Sequence, residues 1–394
     1  MNIFILNAGS SSIKYQLISM PSEDVICQGI VERIGEKDAI LKYKTNTISI
    51  EDTLEIANHK IGLEKVVELL LHKKNGVISN TADINIVGHR VVHGGNSFSN
   101  TTLITEEVKA KIKELSKLAP LHNPPNLQGI VLAEEIFTDA KQVAIFDTAF
   151  HQTLPVVARK YAIPNIFFDK HGIQTYGFHG TSHKYVSEEA NAYLKKDNSK
   201  VISIHLGNGC SITAVYNGKS IDHSLGFTPG NGLIMGSRSG DIDHSLIFYL
   251  VDTLGYTMEQ VNKMLLKESG MLGLTGYSDL RDIEREAENG NKECQLALEM
   301  NAYRIKKYIG AYAAAMNGLD AIIFTAGIGE NSDTMRKIVC TNMDCLGIQL
   351  DIEKNKVRPK KLTEINTNTS NVKIFVIPTN EELEIAKQAY SLIK

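Results

Sequence analysis

The sequence has no apolar run of about 18 residues, the length that a helix needs to cross a bilayer. Its five cysteines are scattered and include no Cys-x-x-Cys pair, which argues against a zinc or thioredoxin-type site and favours a reducing compartment. Residues 1–6 lack the basic stretch and the apolar length of a signal peptide. We therefore expect a cytoplasmic protein without a membrane partner.

A strong excess of either charge is also absent, because 42 basic and 45 acidic residues give a formal net charge of −3. This balance excludes the broad basic field with which proteins bind nucleic acid. With 43% hydrophobic and 22% charged residues, the chain is too apolar to be mainly disordered. Its 394 residues exceed what one hydrophobic core usually serves, so we expect two domains.

Each half of the chain opens with a predicted β-hairpin. The order of apolar strand, small polar turn and alternating strand occurs at 3–17 and again at 201–216. Asn217-Gly218 then indicates a further hairpin turn. The recurrence of this pattern half a chain apart indicates a duplicated architecture.

Helical and strand patterns alternate after each hairpin, which indicates an α/β fold. The predicted helices are 105–118, 258–268 and 293–317, and the predicted strands are 143–146, 321–324 and 373–377. We place the domain boundary near residue 150. One side of the longest helix carries Leu296, Met300, Tyr303, Ile309, Tyr312 and Met316. We expect these side chains in the core, with a partner subunit as the alternative for the tyrosines.

Three glycine-containing turns, 7–12, 205–211 and 327–331, each follow an apolar strand. Backbone N–H groups in such turns can point together at an anion, although ordinary tight turns have the same composition. The sequence has neither a Walker-type Gly-x-x-x-x-Gly-Lys-Ser/Thr motif nor a dinucleotide-binding Gly-x-Gly-x-x-Gly motif. A nucleotide is therefore expected to be held by turns from both domains.

Histidines at i,i+4, His89/His93 and His179/His183, have the spacing of helical zinc ligands. Neighbouring glycines argue against regular helix there, so polar contacts with substrate or backbone are the better interpretation. Arg90 and Arg238 stand among small residues and are candidates to bind carboxylate or phosphate, with a structural salt bridge as the alternative.

Acidic residues follow two predicted strands, Asp147 after 143–146 and Glu381 with Glu382 after 373–377. Strand ends line the ligand crevice of α/β folds, where a carboxylate commonly holds Mg²⁺ with phosphate. For Glu382 we favour a first-turn role in a C-terminal helix.

Five motifs together resemble the acetate kinase family along nearly the whole chain. They are Asn7-x-Gly9-Ser10-Ser11-Ser12-x-Lys14, His89-Arg90-x-Val92-His93-Gly94-Gly95, Phe146-Asp147-Thr148-Ala149-Phe150-His151, Tyr176-Gly177-Phe178-His179-Gly180-Thr181-Ser182-His183 and Gly236-Ser237-Arg238-Ser239-Gly240-Asp241. The resemblance implies two duplicated actin-like (ribonuclease H-like) ATPase domains, 1–150 and 151–381, with a nucleotide cleft between them. It also implies a homodimer and a C-terminal helix, 382–394, that returns to the first domain.

The resemblance further implies reversible phosphoryl transfer from MgATP to acetate, giving acetyl phosphate and ADP, with Mn²⁺ as an alternative metal. The catalytic positions of the family correspond to Asp147, His179, Arg238 and Arg90. Of these, Arg90 matches the arginine that binds the substrate. The substrate pocket corresponds to Val92, Leu121, His122, Phe178 and Pro229, and the metal positions to Asn7 and Glu381. The nucleotide positions are Lys14, His205, Leu206, Gly207, Asn208, Gly209, Asp279, Leu280, Arg281, Gly327, Ile328, Gly329, Glu330 and Asn331.

Residue chemistry agrees with this interpretation. An acetate carboxylate is ionised at pH 7, because carboxyl pKa values lie near ~4, so no strong base is needed. Asp147 is then expected to position Mg²⁺ or its waters. Departures from the usual pattern, Ser237, Cys210, Ala326 and His244, remove no proposed charge. The alternatives are a propionate or other short-chain acyl kinase and, from another class, an actin-like ATPase switch.

Overall fold

The structure is a computed structural model that describes all 394 residues. The strands are β1 (Asn2–Ala8), β2 (Ser12–Ser19), β3 (Asp24–Glu32), β4 (Ala39–Thr45), β5 (Ser49–Leu54), β6 (Ile86–Val91), β7 (Thr102–Leu103), β8 (Lys141–Phe146), β9 (Lys200–Leu206), β10 (Cys210–Tyr216), β11 (Lys219–His223), β12 (Ala321–Thr325), β13 (Thr363–Glu364) and β14 (Lys373–Val376). The helices are α1 (His59–Leu70), α2 (Glu106–Leu115), α3 (Asn123–Ile136), α4 (Val156–Arg159), α5 (Asn165–Asp169), α6 (Gly180–Leu194), α7 (Ser245–Asp252), α8 (Met258–Lys267), α9 (Gly270–Thr275), α10 (Leu280–Glu288), α11 (Lys292–Ala315), α12 (Ala326–Asn331), α13 (Asp333–Cys340), α14 (Ile352–Asn355) and α15 (Glu381–Ile393).

The chain divides into two compact units, Met1–Phe150 with Asn380–Lys394, and His151–Thr379. The Asn380 side chain caps α15, the helix that closes the first unit. None of the helices has both the length and the apolar composition required to span a membrane.

The first unit is built on an eight-stranded sheet in the order β5-β4-β3-β2-β1-β6-β8-β7. The central strand β1 is buried on both faces because its residues alternate between two cores. Phe4 and Leu6 pack in the core that includes Phe137, which follows α3. Ile3 and Ile5 pack on the other face against Ile385 of α15. The C-terminal helix thus covers one face of this sheet.

The second unit is built on a six-stranded sheet in the order β11-β10-β9-β12-β14-β13. Its β9 pairs antiparallel with β10 and parallel with β12, just as β1 pairs antiparallel with β2 and parallel with β6. The series β3-β2-β1-β6-β8 therefore recurs as β11-β10-β9-β12-β14, with the same strand directions. The predicted hairpins and the predicted duplication are confirmed.

Two local predictions are wrong. Residues 327–331 do not form a turn, because they belong to α12, which starts directly after β12. On α11 and its C-cap, Ile309, Tyr312 and Met316 are buried as expected, but Leu296, Met300 and Tyr303 are 56%, 38% and 67% exposed. The core covers only the C-terminal part of the apolar side of this helix.

Candidate active site

In the first unit, the polar site residues lie at the carboxyl ends of β1, β6 and β8. These strands are parallel neighbours, and the register pairs Leu6 with His89 and Arg90 with Ile145. The strand order therefore brings Asn7, Arg90 and Asp147 to one edge of the sheet. Glu381, the first residue of α15, lies beside them.

Arg90 and Asp147 form a bidentate ion pair. Arg90 Nε donates to Asp147 Oδ1 at 3.1 Å, and Arg90 Nη2 donates to Asp147 Oδ2 at 2.5 Å. Arg90 Nη1 makes a longer bond of 3.4 Å to Asn7 Oδ1, and Arg90 Nε lies 3.9 Å from the Glu381 carboxylate. Burial lowers the pKa of Arg90, but Asp147 and Glu381 outweigh burial and raise it. The Asp147 carboxylate thus holds the planar guanidinium, and Nη1 is the nitrogen with the longest hydrogen bond.

The surroundings of the Glu381 carboxyl group disfavour its charged form. Burial raises its pKa to about 7, with a further contribution from Asp147 and Glu382, although Arg90 and Lys14 act against this. An additional cation would relieve this crowding of carboxylates. Asn7, Asp147 and Glu381 offer the oxygen donors that Mg²⁺ prefers, so the residues fit this ion.

Two asparagines of α3, which the sequence reasoning did not assign, hold the segment after Arg90. Asn126 accepts from Val92 N at 3.0 Å and donates to Ala8 O at 2.7 Å. Asn123 accepts from His93 N and donates to His93 O, both at 3.0 Å. The signal in the sequence was the His122-Asn123-Pro124-Pro125-Asn126 motif, in which the asparagines and not His122 supply these bonds.

Of the predicted pocket residues in the first unit, Val92 is buried whereas Leu121 is 65% exposed. His122 is partly exposed at the N-terminal cap position of α3 and makes no capping bond. Lys14 is exposed and lies opposite Asn7 in the β1–β2 hairpin.

In the second unit, the loop after β9 lies next to the start of α12. The parallel register pairs Thr325 with His205, and a Cβ placed on Gly207 would lie 4.0 Å from Ala326 Cβ. The Ser182 Oγ atom lies 2.9 Å from His205 Nδ1, and it accepts a hydrogen bond from Thr379 Oγ1 at 2.8 Å. Glu330 accepts from Thr379 N at 3.0 Å. The structure thus brings the predicted segments 205–209 and 327–331 together.

His179 and Arg238 both approach Gly209. A Cβ added to Gly209 would lie 3.5 Å from Cε1 and Nε2 of His179 and 3.9 Å from Nη1 of Arg238. The His179 ring stacks on His205, with centroids 4.4 Å apart. Arg238 Nη1 donates to Pro229 O at 2.9 Å, and burial lowers the pKa of Arg238. Arg238 forms no salt bridge, so its partly buried charge is available to an anion.

The segment Asp279, Leu280 and Arg281 lies at the start of α10. Asp279 caps α10, Leu280 is buried, and the Arg281 side chain folds back on Asp279 while remaining 89% exposed. Ser332, the N-terminal cap of α13, donates a hydrogen bond to Glu284 of α10 and so links the two helices. Phe178, the remaining pocket residue, is buried beside His179.

The repeated hairpin-led sheet places this protein in the duplicated actin-like ATPase fold. A profile of the acetokinase family matches residues 2–387, and the chain belongs to that family, a family of kinases. It is 64% identical to the acetate kinase of Flavobacterium johnsoniae, with 100% of both chains covered. It is 48% identical to the acetate kinase of Methanosarcina thermophila, covering 100% of this chain and 97% of that one.

Solved structures agree with this assignment. The acetate kinase of Porphyromonas gingivalis superposes with a TM-score of 0.94 at 44% identity, covering 100% of both chains. A propionate kinase from Francisella tularensis superposes with a TM-score of 0.93 at 43% identity, covering 99% of both chains. The predicted family and fold are confirmed.

Proposed function

We propose that this protein transfers the γ-phosphoryl group of ATP to acetate, reversibly and with Mg²⁺, giving acetyl phosphate and ADP. The observation that carries the proposal is the Arg90–Asp147 pair beside Asn7 and Glu381 in a chain of the acetokinase family. The two relatives named acetate kinase support the same substrate.

The acceptor needs no general base, because a carboxylate is ionised well above its pKa of ~4. One acetate oxygen attacks the γ-phosphorus while the bond to the ADP oxygen breaks, and ADP leaves with that electron pair. We assign Arg90 to the acetate carboxylate, because Asp147 engages Nε and Nη2 and fixes the guanidinium plane. Asp147 acts through Arg90, and it would also offer an oxygen donor to the metal.

Charge on the equatorial oxygens of the transferred group is stabilised by Arg238 and His179, whose donor nitrogens border the same space at Gly209. Asn7, Asp147 and Glu381 would hold Mg²⁺, which neutralises phosphate charge when bound. Lys14 and the segments 205–209 and 327–331 are proposed to bind ATP. The role of Asp279, Leu280 and Arg281 in ATP binding stays a prediction.

Propionate is the second candidate substrate, because one similar structure is a propionate kinase. A single methylene in an apolar pocket is worth only about 1–3 kcal/mol. We propose that Val92, Leu121, Phe178 and Pro229 set the preferred chain length.

The proposal is tested by incubating the protein with MgATP and acetate, propionate or butyrate, and trapping the acyl phosphate with hydroxylamine. We expect acyl phosphate with acetate and a loss of about 10²–10³ in kcat for Arg238→Ala. Arg285→Ala is the matched control, because this arginine is exposed on α10. No acyl phosphate with any acid, together with acid-independent ATP hydrolysis, would instead indicate an ATPase switch.

We further propose a homodimer, since α7 has no buried residue but exposes Leu246, Phe248 and Tyr249. Sedimentation of Phe248→Asp against the wild type tests this surface. A cytoplasmic location is also proposed, supported by five free cysteines.

A further inference from the structure

A chain of hydrogen bonds in the second unit ends at His179. Ser203 Oγ lies 2.8 Å from His183 Nδ1, and His183 Nε2 lies 2.7 Å from Ser211 Oγ. Ser211 Oγ in turn lies 2.9 Å from His179 Nδ1. Ser203, His183 and Ser211 are fully buried, on β9, α6 and β10. The chain therefore runs from the core to one ring nitrogen of His179.

The proton count along this chain gives it a direction. Burial and the nearby His151, His205 and His179 hold the pKa of His183 well below its ordinary value, so His183 carries one N–H. If that N–H were on Nδ1, Ser203 would accept it, and the buried Ser203 proton would have no acceptor, because Ser203 Oγ makes no other bond. If the His183 proton is on Nε2 instead, Ser203 can donate to Nδ1, and every hydroxyl and imidazole proton of the chain has an acceptor.

We propose that Ser203, His183 and Ser211 hold His179 in the tautomer with its proton on Nε2. In this arrangement Ser203 donates to His183 Nδ1, His183 Nε2 donates to Ser211, and Ser211 donates to His179 Nδ1. His179 Nε2–H is then directed at the space beside Gly209 that Arg238 also borders. Resting on the proposed function, this inference makes Ser211 and His183 positioning residues for the donor that meets the transferred phosphoryl group.

The surroundings of His179 favour a neutral donor. The His205 ring stacks on the His179 ring, Ser211 lies between His179 and His183, and the guanidinium of Arg238 borders the same space at Gly209. A guanidinium charge that borders the same space disfavours a second positive charge on the imidazole. His179 also has φ +57, a left-handed conformation that few non-glycine residues adopt, so its placement is maintained by its contacts.

The first test measures the tautomer and needs no activity. Protein labelled with ¹⁵N-histidine is examined by long-range ¹H–¹⁵N correlation, with His179→Gln to assign the signals. We expect the His179 proton on Nε2 in the wild type and a mixture of tautomers in Ser211→Ala. A proton on Nδ1, or spectra unchanged by Ser211→Ala, overturns the inference while leaving the proposed reaction standing.

The second test is a double-mutant cycle on acyl phosphate formation. Ser211→Ala is expected to lower kcat about tenfold or more, with both KM values within threefold, because only the orientation of a transition-state donor is lost. The double variant Ser211→Ala/His179→Ala should be no slower than His179→Ala alone. Independent, multiplicative losses overturn the inference. The control is Ser220→Ala, a buried serine that bonds His151 at 2.8 Å, for which kcat should stay within twofold.

Discussion

Replacing Gly327 by alanine separates the stability of α12 from the binding of ATP. Gly327 is the second residue of this helix, is exposed and has no positive φ. A Cβ at this position would meet no heavy atom within 4 Å. The added methyl group therefore disturbs nothing in the protein, but it occupies space that the proposed function assigns to the nucleotide.

The two expected effects have opposite directions. Alanine in place of a helical glycine stabilises a protein by about 0.5–1 kcal/mol, which raises Tm by about 1–4 °C in a unit of this size. A methyl group forced between the backbone and a phosphate costs about 1–3 kcal/mol. At 1.4 kcal/mol per factor of ten, ATP binding should weaken by about 5- to 150-fold.

The assay combines thermal unfolding with the KM for ATP at saturating acetate. The matched control is Gly310→Ala, because Gly310 lies inside α11 and a Cβ there also meets nothing within 4 Å. This control should gain similar stability with an unchanged KM for ATP. A Gly327→Ala variant with higher Tm and unchanged KM would show that ATP does not approach α12, and a lower Tm would contradict the stabilisation argument.

The protein should lose stability already at mildly acidic pH. The reason is that burial lowers the pKa of each of three histidines from 6.5 to about 4: His89, His93 and His151. As pH falls, these histidines take up protons in the unfolded chain before they do so in the folded protein. The free energy of unfolding is therefore highest above pH 6.5 and falls toward pH 4, by up to about 1.4 kcal/mol per pH unit for each histidine. Tm at pH 7.5, 6.5 and 5.5 measures this, and a flat profile would contradict it. Arg336→Met should cost about 3 kcal/mol or more in urea unfolding, because fully buried Arg336 donates to Gly329 O, Glu330 O and Asn355 O. Exposed Arg285→Met should change stability by less than about 1 kcal/mol, and equal losses would refute the assignment.

Local patterns predicted the elements well, because hydrophobic period and turn residues act over a few positions. The hairpins β1–β2 and β9–β10 lie where alternation and small polar turns place them. The helix predicted at 258–268 spans Met258–Lys267. The motif resemblance then identified the family, which composition alone did not indicate.

Local patterns failed where packing decides the conformation. The glycines of 327–331 predict a turn, but Gly329 allows close approach to β9 and β12, and the chain continues as helix. Ala326 is a departure from the family pattern that removes no charge, but its φ of +64 lies in a region that alanine rarely adopts. Tyr303 lies on the apolar side of α11, but the core ends before reaching it.

The sequence alone determined which residues carry charge and where most strands, helices and turns lie. Only the tertiary structure decided that Arg90 and Asp147, far apart in sequence, form one ion pair, because β6 and β8 pair in a parallel register. It likewise decided that Ser203, His183 and Ser211 line up behind His179. Hydrophobic period specifies the face of each element, whereas the register between distant strands is set by packing on both faces of the sheet.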